Sequence, residues 1–491
     1  MANSSIKFGM THALIRRAIP DFLRQNSVLE AMTKELRADE RFTYLATTPV
    51  GAVTLLVSRS DNTHGKPVVE GWWDERLTST QVMHLLVGSS REDGKQQSGN
   101  EGLLTAQAHA GRLRQTLRAT MQTLGASDGV LTRLATYCRT AGVRRLVIVP
   151  CGLLGLLPLH AALVPRSSTS GVIEPLVDVV QVSYAPSARI WATSQRHAIK
   201  YPAEKINALI VGDPQPQSEG APPLPGARDE AQAISTLISQ AVHGRVSTFT
   251  GEAATLSEVL DVLRGQGATL THVHFACHGL AELTNPQTSG VLLAYEARLM
   301  TRDLLDPVVV RFAQLRLAIL SACRTALVGT ELPDEVVGLP SAWLQAGAKS
   351  VLASLWPISD SKTVALMTKF YELHLLDRCE PVDALWLAQR WLRGLPTWRE
   401  DCRAAGAAQA AEGPEVGNVI HRLALARGEI TLLDDLEDSE ESIETMERNV
   451  VDRIIGGTSQ GNEVSQVPTI ASKHQFWENA RHWAAFVMYG T

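Results

Sequence analysis

Two short stretches carry residues suited to covalent chemistry. In "THVHFACHG" an apolar, β-branched run closes on His278 and Gly279, and in "LRLAILSACRT" a second one closes on Cys323 and Arg324. A free thiol titrates near 8.5 and supplies little thiolate at neutral pH, which a neighbouring imidazole corrects by taking the proton. Gly279 leaves the backbone free to approach a substrate and to offer its N–H to an oxyanion, and the N–H of Cys323 is the natural second donor. Together these groups could perform acyl transfer, with Cys323 as nucleophile and His278 as general base.

Plainer readings of the same residues stand beside this one. A buried cysteine most often packs as a small hydrophobe, and a lone histidine usually does no more than hydrogen-bond. Cys277 is a rival thiol, but alternation along an extended strand turns it away from the face of His278, so it reads as core. A metal site is the other rival in "HVHFACH". On an extended strand His272 and His278 would stand roughly 20 Å apart and cannot share an ion. His272 and His274 could, but no carboxylate or thiol follows at a metal spacing. No metal and no cofactor is expected.

The acyl-transfer reading needs two elements side by side. If the strands ending at His278 and Cys323 are neighbours in a parallel sheet, about 4.8 Å apart, imidazole and thiol come within one or two side-chain lengths. The chain from residue 204 onward supplies such a frame. "NALIVGDP", "VSTFTGEAA", "THVHFACHG", "LRLAILSACRT" and "SVLASLWPISD" read as strands. They alternate with the helical stretches "LPGARDEAQAISTLISQ", "LSEVLDVLRGQ", "GLPSAWLQAGA", "KTVALMTKFYELHLL" and "PVDALWLAQRWLRGL". That alternation predicts an α/β fold with a mostly parallel sheet flanked by helices. Upstream, residues 9–38 have helical spacing, "FTYLATTPVGAVTLLVSR" and "PVVEGWWDERLT" read as strands, and a helix starts near Thr80. Another helix covers Ala106 to Leu124, and "VRRLVIVP" and "PLVDVVQVSYAP" are further strand candidates. The stretch 396–470 is rich in Ala, Gly and acids, has no Lys or Arg between Glu429 and Glu447, and reads as a flexible acidic insert.

Bulk composition removes several function classes. With 491 residues, 45% apolar and 20% charged, the chain is long enough for two or three packed units of an ordinary globular protein. A net charge of -5 with no basic stripe argues against direct nucleic-acid contact. No apolar run approaches the roughly 20 residues that span a bilayer, so no membrane association is expected. The start does not read as a secretory signal, and the six cysteines are too sparse for a disulfide framework. A cytoplasmic setting is expected, and it would keep a catalytic thiol reduced.

The order of motifs resembles a known family. "SACRT" follows "ACHG" by 45 positions, close to the caspase pattern Q-A-C-[RQG]-G with its histidine about 50 residues upstream. More specifically, "VIVPCGLLGLLPLHAAL", "VSYAPSA", "LIVGDP", "LPGARDEAQAI", "HFACHG", "LSACRT", "GLPSAWLQAGAKSVLASLWPISD", "ALWLAQRWLRGL" and "HWAAFVMYG" resemble the CHAT family. These are caspase- and separase-like cysteine peptidases of bacteria, and the likeness covers about residues 40–491.

After a helical extension (1–40) read from its apolar spacing, the resemblance implies a non-catalytic caspase-like half (41–200) and a catalytic half (204–491) holding the insert. It implies peptide hydrolysis by His278 and Cys323 on a specific protein substrate. The TPR repeats common upstream in the family are absent from this sequence. The insert is also longer than the family needs, so control is expected from a separate sensor or activator protein. A role in bacterial defence or cell death follows from the same analogy. By analogy with caspase-like folds, the first specificity pocket would involve Asp213 and Asp360, with Glu331, Asp334 and Glu335 on the loop after Cys323, and would favour Arg or Lys. Asp213 and Asp360 could equally cap a turn and a helix. Trp356 could wall a substrate groove or pack between sheet and helix. A non-proteolytic scaffold on the same fold and a self-processing switch are the alternatives.

Overall fold

The computed structural model describes residues 25–59, 67–88, 101–107, 110–167, 172–197, 205–217, 221–242, 244–282, 284–322, 338–358, 360–393 and 480–490. The first strands are β1 (Glu40–Thr48), β2 (Gly51–Ser58), β3 (Val68–Asp74) and β4 (Arg145–Pro150), followed by the short pair β5 (Leu163–Pro165) and β6 (Ile173–Pro175) and by β7 (Gln181–Tyr184). Then come β8 (Asn207–Pro214), β9 (Arg245–Gly251), β10 (His272–Ala276) and the small strands β11 (Gly279–Leu280), β12 (Gly290–Leu292) and β13 (Arg298–Met300). The last are β14 (Leu317–Ser321), β15 (Ser350–Ser354) and β16 (Phe486–Gly490).

Eleven of these strands form one sheet in the order β3-β2-β1-β4-β7-β16-β15-β14-β10-β8-β9. Only the β1–β2, β2–β3 and β15–β16 pairs are antiparallel; the other neighbours run parallel. The α/β class with a mostly parallel sheet is therefore what the alternating pattern required. β8, β10, β14 and β15 are buried almost throughout, which is why they read as continuous apolar runs.

The helices that cover the sheet are α1 (Gln25–Glu35), α2 (Ser79–Val87), α3 (Ala110–Leu124), α4 (Val130–Thr140), α5 (Ala188–His197), α6 (Pro225–Thr236), α7 (Leu256–Gln266), α8 (Leu339–Ala346), α9 (Asp360–Tyr371) and α10 (Pro381–Leu392). Their starts are chemically marked. The Thr78 hydroxyl accepts from Gln81 N before α2, and the Thr255 hydroxyl accepts from Glu258 N before α7. Successive residues of β10 show both faces of the sheet. His274 meets Glu230 of α6 and Tyr371 of α9, while Phe275 packs on Trp343 of α8. On the α8 face, α1 and α5 bury Met32, Leu36 and Trp191 against Phe42, Val57 and Val147.

Three local readings change. "FTYLATTPVGAVTLLVSR" is not one strand but the β1–β2 hairpin, turned at Pro49 and Val50. "PLVDVVQVSYAP" begins as a short helix, Leu176–Val179, and becomes strand only at β7. The two chemistry-bearing strands end at Ala276 and Ser321, two residues short of His278 and Cys323. The insert at 396–470 lies outside the described residues.

Candidate active site

β10 and β14 are parallel neighbours in strict register, His272 opposite Leu317 through Ala276 opposite Ser321. His278 follows its strand end by two residues, and Cys323 follows the other by two. The described chain stops at Ala322, so Cys323, Glu331, Asp334 and Glu335 lie outside the described residues.

His278 is half-buried, and its Nε2 sits 2.7 Å from the carbonyl oxygen of Pro222. A carbonyl only accepts, so Nε2 carries the proton, and in the neutral ring Nδ1 is left as the basic nitrogen. Pro222 lies in the turn that leads into α6, and that turn is pinned by Asp213. The Asp213 carboxylate accepts from Leu224 N at 2.8 Å, from Gln215 Nε2 at 3.0 Å and from Arg228 Nη2 at 2.9 Å. Asp213 holds a positive φ of 46°, a conformation that Asp and Asn tolerate better than most residues. Gly212, just before it, is required by packing, because a Cβ there would overlap Ala231 Cβ and the Ala227 carbonyl of α6.

Gly279 stands opposite Val291 in the β11–β12 pair. The ladder bond there runs from Leu292 N to His278 O, 2.9 Å. That makes Gly279–Val291 a non-hydrogen-bonded pair, so the ladder does not use the Gly279 N–H. On the other side of the cleft, Ser354 at the end of β15 donates its hydroxyl to Ala322 O at 2.6 Å. The peptide leading into Cys323 is thus held at its carbonyl.

A cleft opens at the carboxyl ends of these strands, with about 430 Å³ of empty space counting its open mouth. Its wall includes Glu230, Cys277, Ser321, Ala322, Ser354 and Trp356. Cys277 is buried, as its core reading requires, and it also borders the cleft. Trp356 packs in the core and also borders the cleft. It is 1% exposed within the core, its Nε1 donates to Arg481 O at 2.7 Å, and one side faces the cleft. Asp213 is not in that wall, and Asp360 is the first residue of α9, with its side chain outside the described atoms.

The remaining histidines of "HVHFACH" anchor helices. His374 Nδ1 donates to Cys379 O at 2.7 Å, so its bare Nε2 accepts from His272 Nε2 at 3.2 Å, and His272 Nδ1 lies 2.9 Å from the Thr271 hydroxyl, which also donates to Asn207 O. Burial first, then the His374 ring and Arg316, pushes His272 well below its ordinary pKa, and burial brings His374 down to about 4. His274 Nε2 is 2.9 Å from Glu230 Oε1, both fully buried, yet the contact lies off the hydrogen-bonding direction and leaves each atom unsatisfied. Tyr371 OH is 3.4 Å from His274 Nδ1, and burial, with Glu230 adding to it, pushes the phenol far up, so it stays a donor. Among the described residues no three His, Cys, Asp or Glu side chains group as a metal would require, and no helix is long and apolar enough to cross a membrane.

Pro222, Ser354 and Glu230 were not singled out from sequence. Only Glu230 left a mark there: with Ala227, Ala231 and Ile234 buried on one face of α6, an acid at 230 falls on the apolar side of the helix.

Fold and site define an α/β protein whose chemistry-bearing groups sit at the carboxyl ends of parallel strands. The CHAT domain family model matches residues 98–491, well over half of the chain, and the protein belongs to the CHAT family. Two crystal structures of the Saccharomyces cerevisiae separase–securin complex, at 3.0 and 2.6 Å resolution, are similar at 10% identity over 76% and 79% of this chain, with TM-scores of 0.46 and 0.45. This chain spans 30% and 31% of the length of those chains. A search of the curated proteins returned no match.

Proposed function

We propose that this CHAT protein is a cysteine endopeptidase in which His278 and Cys323 form the catalytic dyad. The observation that supports the reading is the parallel β10–β14 register, in which Ala276 stands opposite Ser321, each two positions in sequence before its member of the proposed dyad. His278 Nδ1 takes the thiol proton, the thiolate attacks the scissile carbonyl, and the tetrahedral oxyanion is met by the N–H groups of Gly279 and Cys323. The imidazolium then protonates the leaving amine. Water, deprotonated by the same ring, hydrolyses the thioester and frees the enzyme. Pro222 O keeps the proton on Nε2, so Nδ1 is the nitrogen that works in both steps. Ser354, by holding Ala322 O, would support the proposed donor at Cys323.

The reading extends to a catalytic half at 204–491 beside a non-catalytic half at 41–200 and to activation by a separate protein. It also extends to work in a reducing cytoplasm, in bacterial defence or cell death. Family membership is what supports these extensions. The test is co-expression of wild type and Cys323→Ala, each with its genomic neighbours. A protein cut only by wild type is the expected result. Identical patterns with the full set of neighbours would turn the reading toward a non-proteolytic scaffold.

A further inference from the structure

The cleft beside the strand ends has one feature that the dyad does not use. Among the described residues, Glu230 is the only carboxylate or cationic side chain in its wall. The residue is 1% exposed, and Oε1 has no hydrogen-bond partner. His274 Nε2 lies at 2.9 Å but out of line, so it supplies attraction without satisfying the oxygen. Ser321 Oγ, in the same wall, is also buried and without a hydrogen-bond partner. Buried polar atoms are rarely left unpaired unless something else is to pair with them. An acceptor and a hydroxyl set in walls otherwise built from groups such as Trp356, Ala322 and Leu224 suit a long apolar stem ending in N–H donors.

The site lies where the side chain before a scissile bond would fall. Ser321 and Ala322 lead directly into Cys323, and Leu224 is two residues from the Pro222 carbonyl that holds His278. We infer that Glu230 is the specificity-determining residue of this cleft and that it selects a substrate with arginine or lysine immediately before the cleaved bond. The inference rests on the peptidase reading. It moves the acidic function from Asp213, whose carboxylate is occupied by Arg228, Leu224 and Gln215, to a side chain on α6. A cationic head reaching Glu230 replaces the off-line contact with His274. A neutral side chain leaves both orphan atoms buried and unpaired, and that difference is the selectivity.

The test uses the full chain carrying Cys323→Ala and four acetylated tetrapeptides that differ only in a C-terminal residue: arginine, lysine, norleucine or aspartate. Titration calorimetry should show arginine and lysine binding about a hundredfold more tightly than norleucine, with aspartate weakest. In the near-isosteric Glu230→Gln the ratio of arginine or lysine binding to norleucine binding should shrink to within about threefold. Ser321→Ala should weaken arginine and lysine binding by a smaller factor, and serves if Glu230→Gln melts early. Norleucine binding as well as arginine, a preference that survives Glu230→Gln, or failure of all four peptides to bind would each overturn the assignment. Binding of this pattern without any Cys323-dependent cleavage in the co-expression experiment would instead remove the peptidase reading and leave a cleft selective for basic chains.

Discussion

At the scale of single residues, the candidate site is organised by groups that hold the chain beside the strand ends. Ser354 is the clearest. Its hydroxyl holds the Ala322 carbonyl, and its loss would free the end of β14 that leads to the proposed oxyanion donor. Ser354→Ala is expected to lower kcat by about tenfold to a hundredfold with KM little changed, because the donor matters in the transition state and not in substrate binding. Steady-state kinetics on the cleaved substrate checks this; a change confined to KM would place Ser354 in recognition instead. Asp213 acts one step further away, through Leu224 N and the Pro222 carbonyl. Asp213→Asn keeps an acceptor and tolerates the positive φ, so activity should be largely retained. Asp213→Ala should lower kcat by about tenfold and lose more activity than Arg228→Ala, since Arg228 is half-exposed and its pairing weak. Equal losses in the two alanine variants would mean that the ion pair, and not the turn, is what counts.

Elements explain how those residues arrive. Gly212 lets α6 lie directly on β8, and α6 brings both Pro222 and Glu230 to the strand ends. Gly212→Ala should cost about 1–3 kcal/mol in denaturant unfolding and disturb activity more than its stability loss accounts for. The histidine pair at β10 gives a pH signature. The folded pKa of His374, about 4, lies below the unfolded value near 6.5. The unfolded chain therefore gains protons first as pH falls; this contribution is fully present above about pH 6.5 and is lost on the way down to about pH 4. Relative to His374→Asn, which keeps a donor for the Cys379 carbonyl but does not titrate, wild type should lose up to about 3 kcal/mol over that window, read by unfolding at each pH. Much of this scale was legible in the sequence. Strand–helix alternation gave the α/β class, while the adjacency of the two runs ending near His278 and Cys323 was only a condition of the reading, which the β10–β14 pair meets. What stayed hidden was set by tertiary contact. A backbone carbonyl such as Pro222 O has no residue-type signature, a serine such as Ser354 is common at strand ends, and Glu230 is distinguished from a solvated helix acid only by the face it turns inward.

At the scale of the whole molecule, charge pairs fasten α10 to the elements around β4 and β7. Arg393, whose side chain is fully buried, grips Asp178 with two nitrogens at 2.8 Å each, and its guanidinium lies 4.6 Å from the Trp483 ring centre. Arg145 meets Asp383 at 2.8 Å with both side chains buried. Removing the Asp178 carboxylate takes two charge-assisted bonds from the buried Arg393 guanidinium, so Asp178→Ala should cost about 3–5 kcal/mol and lower the melting temperature sharply. Double replacement of Asp178 and Arg393 by apolar residues should recover much of the loss, and failure to recover it would show that Arg393 matters mainly through Trp483.

The position of β16 has a further consequence. Residues 486–490 fill the gap between β15 and β7, and the buried Gln389 amide fastens the turn before them by donating to Trp483 O and Phe486 O. During synthesis the strands on both sides of that gap leave the ribosome first and must wait with bare edges, an arrangement open to wrong pairing. The sheet that frames the candidate site is continuous only once β16 is seated between β7 and β15, so the strand joining its two parts reaches its place after the rest of the described sheet has been synthesised.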